Sequence, residues 1–361
     1  MRYWPRRRNS LSARTEGVGT ATAEFDYPLP AGAIAQHPLA DRSSSRMLVL
    51  QPDGGARDSW VTELPRLLRP GDCLVLNDTR VRAARLRGMV GTRSGEILLV
   101  RELSADRFLA LARPARALPP GSSLSGDGWR VAVEAAWGDH QAGREVRLEV
   151  DPGVTLSQIG EVPLPPYLKQ KLSDPERYQT VYAQGPPVSA AAPTAGLHLT
   201  EALLGEIQAA GIGLVRIQLE VGLATFTPIR TATIEAHPMH AERYRISAPA
   251  AAQLNGSRRQ GGRVVAVGTT AVRCLESRPD GAGGVVAGEG ETELYLRPGS
   301  RFRVVDGLLT NFHQPRSSLL VLVSAFYGRD RVRDAYQAAL VGGYRFLSFG
   351  DCMFGWRGAQ P

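Results

Sequence analysis

The chain has 361 residues, 43% hydrophobic and 22% charged, enough for two domains or one large domain carrying an insertion. No run approaches the roughly 20 apolar residues of a membrane span, so a helical integral membrane protein is excluded and a soluble, cytoplasmic one expected. The cysteines Cys73, Cys274 and Cys352 are far apart and form no CxxC, which speaks against a disulfide framework or a metal site and suits a reducing compartment. The net charge of +8 suits a polyanionic partner such as nucleic acid. Because every basic residue except Lys169 and Lys171 is arginine, it equally suits a GC-rich coding sequence.

Residues 1–24 are arginine-rich with no apolar segment behind them, and read as a disordered basic leader. Order is expected to start at "FDYPLP" (25–30), followed by a short strand at "MLVL" (47–50). "LRPGDCLVLNDTRV" (68–81) reads as a Pro-Gly turn, a buried strand at 73–76 and a polar exit. Between 82 and 150 come short apolar runs ("GEILLV", "RFLALA", "WRVAVEAAW", "REVRLEV") separated by "PPG" and "SGDG" turns. That rhythm predicts a small antiparallel β-barrel without a comparable helix.

After 155 the pattern changes. Thr200 can cap a helix whose Leu203, Leu204 and Ile207 share a face and which Gly211 ends. "GLVRIQLEV" (213–221) is strand-like, "SAPAAAQLNGSRRQGG" (247–262) a Ser-capped helix, and "RVVAV" (263–267) the strand it feeds. "GAGGVVAGEGE" (281–291) reads as a flexible loop, "SSLLVLVSAFYG" (317–328) as a buried helix and "DRVRDAYQAALVGG" (330–343) as an amphipathic one. Alternating strands and helices predict an α/β catalytic domain, discontinuous over 25–81 and 151–361, with the β-barrel at 82–150 inserted into it.

Three polar knots lie beside apolar runs. In "RVVAVGTTAVRCLES" (263–277) a strand enters Gly268, two threonines and a helix carrying Arg273 near its first turn. Exposed N–H groups and a positive helix end suit a carboxylate or phosphate there. Thr269 and Thr270 can add hydroxyl donors and Arg273 a bidentate partner; alternatively the threonines cap the helix and Arg273 pairs with a surface acid. "NFHQPRSS" (311–318) is a polar loop before a capped hydrophobic helix, with His313 available as a donor or base. The third is "AAPTAGLHLT" (191–200). "AHPMHAERY" (236–244) offers His237 and His240 with Glu242 nearby but no third ligand by spacing, so no metal is expected. No GxGxxG follows a strand, and neither GxxxxGK[ST] nor GxSxG occurs.

Eight blocks in order carry a resemblance: "FDYPLPAGAIAQHPLADRSSSRMLVL", "LRPGDCLVLNDTRVRAARLRG", "GEVPLPPYL", "ERYQTVYA", "AAPTAGLHL", "AVGTTAVRCLES", "DGLLTNFHQPRSSLLVLVSAFYG" and "YRFLSFGDCMFG". From Phe25 to about Phe354 the chain resembles the S-adenosylmethionine:tRNA ribosyltransferase-isomerase family of queuosine biosynthesis. The resemblance implies an α/β domain carrying an inserted β-barrel. It also implies that S-adenosylmethionine serves as ribosyl donor to 7-aminomethyl-7-deazaguanine at a tRNA wobble position, giving epoxyqueuosine, adenine and methionine. S-adenosylmethionine would be a co-substrate, with no cofactor and no metal, and the enzyme a monomer.

Such a reaction needs a base for the proton next to the sulfonium, groups that help adenine leave, and donors for the methionine carboxylate and ribose hydroxyls. The resemblance then implies proton transfer by His198 or His240, and Thr194, Gly196, Thr269, Thr270 and Arg273 around the donor's polar groups. Asn311 and His313 would act near the ribose or adenine. Tyr167, Tyr178 and Tyr182 can stack a splayed base, and Arg80, Arg82 and Arg85 can meet phosphates, with packing tyrosines and solvated arginines as the alternatives. The chain departs from the family where "LEVGLATF" puts Glu220 in place of His and Ala224 in place of Gly, where Pro238 falls inside the H-x-MH segment, and where Gln314 replaces Leu. An anion in place of an imidazole reverses the local electrostatics. The alternative is therefore a divergent homologue that cleaves S-adenosylmethionine for a small-molecule acceptor, and a third reading is a catalytically dead RNA-binding protein.

Overall fold

The structure is a computed structural model that describes residues 19–138, 141–222 and 227–358. The chain divides into two compact units: one holds the residues up to Thr79, Pro166–Gly185 and everything from Ala192 onward, the other Arg80–Pro165 with Pro186–Ala191.

The chain first lays down β1 (Arg46–Leu50), β2 (Ala56–Trp60), the short helix α1 (Leu64–Leu67) and β3 (Cys73–Asn77). The second unit follows with β4 (Arg80–Val81), β5 (Arg85–Val90), β6 (Arg93–Glu102), β7 (Arg107–Arg113), β8 (Ser123–Gly126), β9 (Trp129–Ala136), β10 (Gly143–Val150) and α2 (Leu156–Ile159). Strands β5 to β10 close into an antiparallel barrel in the order β10-β7-β6-β5-β8-β9. Its interior is filled by alternate residues such as Leu86, Ile97, Leu99, Phe108, Val131 and Val146, as the period of two demands. β11 (Pro187–Ser189) pairs in parallel with β4, so a distant segment completes this unit.

Back in the first unit come α3 (Glu201–Ala209), β12 (Gly213–Leu219), β13 (Glu242–Ile246), α4 (Ala248–Arg259), β14 (Val264–Val267), α5 (Thr269–Glu276), β15 (Gly288–Thr292), β16 (Gly307–Asn311), α6 (Ser318–Tyr327), α7 (Arg329–Val341) and β17 (Cys352–Trp356). Nine strands form one sheet in the order β15-β13-β12-β3-β14-β16-β17-β1-β2. At its centre β12, β3, β14 and β16 are mutually parallel. Their apolar runs are covered on both faces, which is why "CLVLN" and "VVAV" read as continuous rather than alternating. Helix α3 is capped by Thr200 and turns Leu203, Leu204 and Ile207 into the core beside Leu74, Val265 and Leu309. Ser247 caps α4 and Ser317 caps α6 in the same way.

Three boundaries differ from the sequence expectation. Residues 1–18 of the expected leader lie outside the described residues, but residues 19–24 are ordered: Ala21 bridges Thr233, and Thr22 donates from its backbone to Ala232 O at 2.9 Å. Part of the expected loop at 281–291 is strand β15, pairing antiparallel with β13, because glutamates alternating with glycines suit an exposed edge. The barrel unit is longer than 82–150, since it also takes in residues 80–81, 151–165 and 186–191. Among the described residues no helix is long and apolar enough to cross a membrane.

Candidate active site

The parallel strands β12, β14 and β16 end on one edge of the sheet, and the loops leaving them line an open cleft of about 580 Å³. This is where open α/β sheets bind ligands. Val221 follows β12, Gly268–Thr270 follow β14, and Thr310–Gln314 close β16. Thr194 and Ala195, Ser317, Leu347, Ser348 and Tyr167 complete the wall.

Gly268 adopts φ +87°, a value that glycine tolerates best, and this lets β14 turn directly into α5. The first N–H groups of α5 and its positive dipole end therefore sit at the cleft. Thr270 lines the cleft beside them, its buried hydroxyl having no hydrogen-bond partner among the described residues.

The 311–316 loop is held from behind. His313 N donates to the Tyr336 hydroxyl at 2.9 Å, and the Tyr27 hydroxyl donates to His313 O at 2.5 Å. Phe312 stacks on Phe346, and the Ser317 hydroxyl donates to Gln314 O at 2.7 Å. His313 Nε2 pairs with the Thr310 hydroxyl at 2.9 Å, which leaves Nδ1 as the ring nitrogen without a protein partner among the described residues. Burial pushes its pKa down to about 3, so the ring is neutral. Two non-glycine residues, Leu347 at φ +70° and Arg316 at φ +54°, take up left-handed backbone here. Such strain of roughly 1–3 kcal/mol each persists only where the surroundings fix it, and it concentrates at functional sites.

Several expected residues thus meet in the cleft: Thr194, Thr269, Thr270, Asn311, His313 and Tyr167. Tyr167 donates to or accepts from Ser348 Oγ at 2.6 Å and is the one tyrosine of its group on the cleft wall. Gly196 lies beneath, where a Cβ would fall 1.8 Å from the Tyr182 hydroxyl, so its absence of a side chain serves packing rather than ligand approach.

Other expectations are corrected. Tyr178 and Tyr182 are core residues: Tyr178 packs edge-on against Phe349 at 5.8 Å, Tyr182 against Ala195 and Leu199, and neither ring offers a face to a base. Arg273 turns away from the cleft into a buried ion pair with Glu242, and donates to Leu294 O at 3.0 Å and Thr292 O at 3.3 Å. Glu242 also accepts from Gly222 N at 2.9 Å. His240 is exposed and not on the cleft wall. His198 is buried, with Nδ1 2.9 Å from Ser45 Oγ and Nε2 3.0 Å from Asn311 Nδ2; burial pushes its pKa down to about 4. With both nitrogens engaged it is not a base for a ligand. In the barrel unit Arg82 is spent on Glu102 at 3.0 Å and Val188 O at 3.3 Å, so its charge is not offered to phosphates. Arg80 is half-buried, and Arg85 faces Glu96 at 3.5 Å.

Of the departures from the family pattern, Ala224 lies outside the described residues. Glu220 is half-buried, its N–H donating to Arg243 O at 2.8 Å, and it is not on the cleft wall. Gln314 is on that wall, whereas Pro238 is exposed. Sequence reasoning missed Ser45, Thr310, Leu347 and Ser348. Ser45 carried a weak signal, the hydroxyl run in "DRSSSR"; a left-handed leucine carries none.

Residues 22–354 match the model of the queuosine biosynthesis protein family. The chain belongs to this family. A relative from Moorella thermoacetica called S-adenosylmethionine:tRNA ribosyltransferase-isomerase is 47% identical over 336 residues, 91% of this chain and 98% of the relative. One of the same name from Symbiobacterium thermophilum is 46% identical, covering 92% and 98%. The crystal structure of S-adenosylmethionine tRNA ribosyltransferase from Thermotoga maritima is 32% identical with a TM-score of 0.53, covering 92% of this chain and 99% of that one. The family membership and the α/β architecture with a barrel agree with the resemblance drawn from the motifs.

Proposed function

We propose that the protein transfers and isomerises the ribosyl moiety of S-adenosylmethionine onto 7-aminomethyl-7-deazaguanine at the wobble position of tRNA, yielding epoxyqueuosine-tRNA, adenine and methionine. Named relatives at 46–47% identity support this reading. The observation that carries it is a neutral histidine with one unpartnered ring nitrogen, His313, in a cleft at the sheet's carboxyl edge beside a helix N-terminus. In this reading the enzyme acts in the cytoplasm as a monomer, without metal or cofactor.

In this reading His313 is the proton acceptor, because His198 has both ring nitrogens engaged and His240 lies off the cleft wall. The reading takes the Nε2–H tautomer, whose hydrogen goes to the Thr310 hydroxyl; Nδ1 then takes the proton from the carbon next to the sulfonium, whose positive charge acidifies it. The low pKa that burial imposes makes the ring a weak base in the empty site and its imidazolium correspondingly short-lived, so the proton it takes passes on readily to the departing adenine. The N–H groups of α5, with the hydroxyls of Thr269 and Thr270, hold the methionine carboxylate. Tyr167 is the surviving candidate for stacking the acceptor base, and Arg80 and Arg85 for phosphate contacts.

The test is incubation with S-adenosylmethionine and tRNA bearing 7-aminomethyl-7-deazaguanine, followed by nucleoside mass analysis and adenine quantification. Epoxyqueuosine with stoichiometric adenine is expected, and replacing His313 by Gln should abolish both. Adenine release that is independent of tRNA would overturn the tRNA acceptor in favour of a small-molecule one.

A further inference from the structure

The cleft wall is wired to the core by a chain of hydrogen bonds whose direction is fixed at both ends. Asn311 Nδ2 lies 3.2 Å from Leu347 O, an acceptor only, so the amide nitrogen must point that way. Its other hydrogen goes to His198 Nε2 at 3.0 Å, which makes Nε2 an acceptor and places the proton of the neutral ring on Nδ1. Ser45 Oγ receives that proton at 2.9 Å and spends its own hydrogen on Arg42 O at 3.1 Å. At the other end Asn311 Oδ1, an acceptor only, takes the Thr194 hydroxyl hydrogen at 3.0 Å. Every hydrogen is then assigned, and both hydrogens of the Asn311 amide are consumed internally. Thr194, on the cleft wall, thus has only the lone pairs of its Oγ1 left to offer a ligand.

We propose that Thr194 is an obligate acceptor that selects the α-ammonium of S-adenosylmethionine, while the N-terminus of α5 takes the α-carboxylate of the same amino-acid end. Ser45, His198 and Asn311 are positioning residues for that acceptor. The proposal rests on the donor assigned under Proposed function and specifies which end of it lies where. Two features place both charges together. Ala195 Cβ, on the residue after Thr194, is 3.5 Å from where a Cβ would stand on Gly268, so acceptor and helix start are neighbours. The buried, unpartnered Thr270 hydroxyl (the residue is 8% exposed) offers the donor that a carboxylate needs beside the helix N–H groups. A carboxylate against Thr194 itself would meet lone pairs and be repelled.

The test compares two probes by calorimetry on the full-length protein: S-adenosylhomocysteine, which carries the amino-acid end, and 5′-methylthioadenosine, which keeps only the nucleoside. Thr194→Val should weaken S-adenosylhomocysteine about 10-fold, as loss of a charged hydrogen bond does, and change 5′-methylthioadenosine by less than about twofold. Thr194→Ser, which keeps the hydroxyl, should restore the difference. Equal weakening of both probes would assign Thr194 to the nucleoside and overturn the proposal, as would no weakening of either. Nitrogen-15 spectra of wild-type protein test the relay without any variant: His198 should remain a neutral Nδ1–H tautomer from about pH 5 to 8. An Nε2–H tautomer would overturn the relay. Selective loss on Thr194→Val in a protein that fails to modify tRNA would sustain this inference while the acceptor assignment fell. A wild type that binds neither probe would bring down the ligand assignment together with the donor it rests on.

Discussion

At the scale of single residues, the site is built from neutral polar groups held by burial. His313 illustrates the cost. Its pKa is about 3 in the folded protein against an ordinary 6.5, because the imidazolium is desolvated. The unfolded chain therefore binds a proton that the folded one refuses, and stability falls as pH drops from 6.5 toward 3. Above 6.5 neither state is charged and the penalty vanishes. Between about pH 7.5 and pH 5 the wild type should lose roughly 2 kcal/mol more than His313→Gln, at ~1.4 kcal/mol per pH unit below the unfolded pKa. Urea denaturation at the two pH values measures the difference; parallel losses in the two proteins would show that the ring is solvated. His313, Asn311, Thr269 and Thr270 were legible in the sequence because each closes an apolar strand, so chain direction alone carries it to the sheet edge. The role of His198 was not legible. Which nitrogen meets which partner depends on Ser45 and Asn311, each more than 100 positions away.

At the scale of elements, α5 shows how a helix can be read correctly and its charges misread. All eight of its residues are buried, Arg273 and Glu276 included. Glu276 accepts from Arg303 N at 2.8 Å, Val304 N at 3.0 Å and Val305 N at 2.9 Å, while Arg273 engages Glu242 and two carbonyls. These anchors hold α5 from behind and keep its N-terminus aimed at the cleft. A sequence shows an arginine one turn from two threonines and invites it into the ligand site; side-chain direction around the helix decides otherwise. Arg273→Leu leaves Glu242 as an unpaired buried charge, which should cost about 3–5 kcal/mol. Adding Glu242→Gln should recover part of that loss. Calorimetric affinity for S-adenosylhomocysteine should stay within about twofold of wild type while the protein remains folded, an arginine outside the cleft forming no part of the binding energy. Lost affinity at unchanged stability would return Arg273 to the ligand.

At the scale of the whole molecule, the two units have separate hydrophobic cores, and every residue on the cleft wall belongs to the first. The switch from short alternating strands to capped helices announced both units in the sequence, because period two and period 3.6 bury different faces. Their boundaries were hidden. The pairing of Arg80–Val81 with Pro187–Ser189 spans more than 100 residues, and no local pattern encodes it. The division has a consequence for stability. Phe108 is 3% exposed in the barrel core, and Phe108→Ala removes a buried ring at a cost of about 3–5 kcal/mol. That loss should appear as an earlier barrel transition in scanning calorimetry, with affinity for S-adenosylhomocysteine at the cleft within about twofold of wild type below that transition. The logic is local: cavity strain falls on residues that touch the cavity, and none of the cleft residues lies in the barrel core. A proportionate fall in both quantities would mean instead that the cleft draws its order from the barrel, and that the two units fold as one cooperative body.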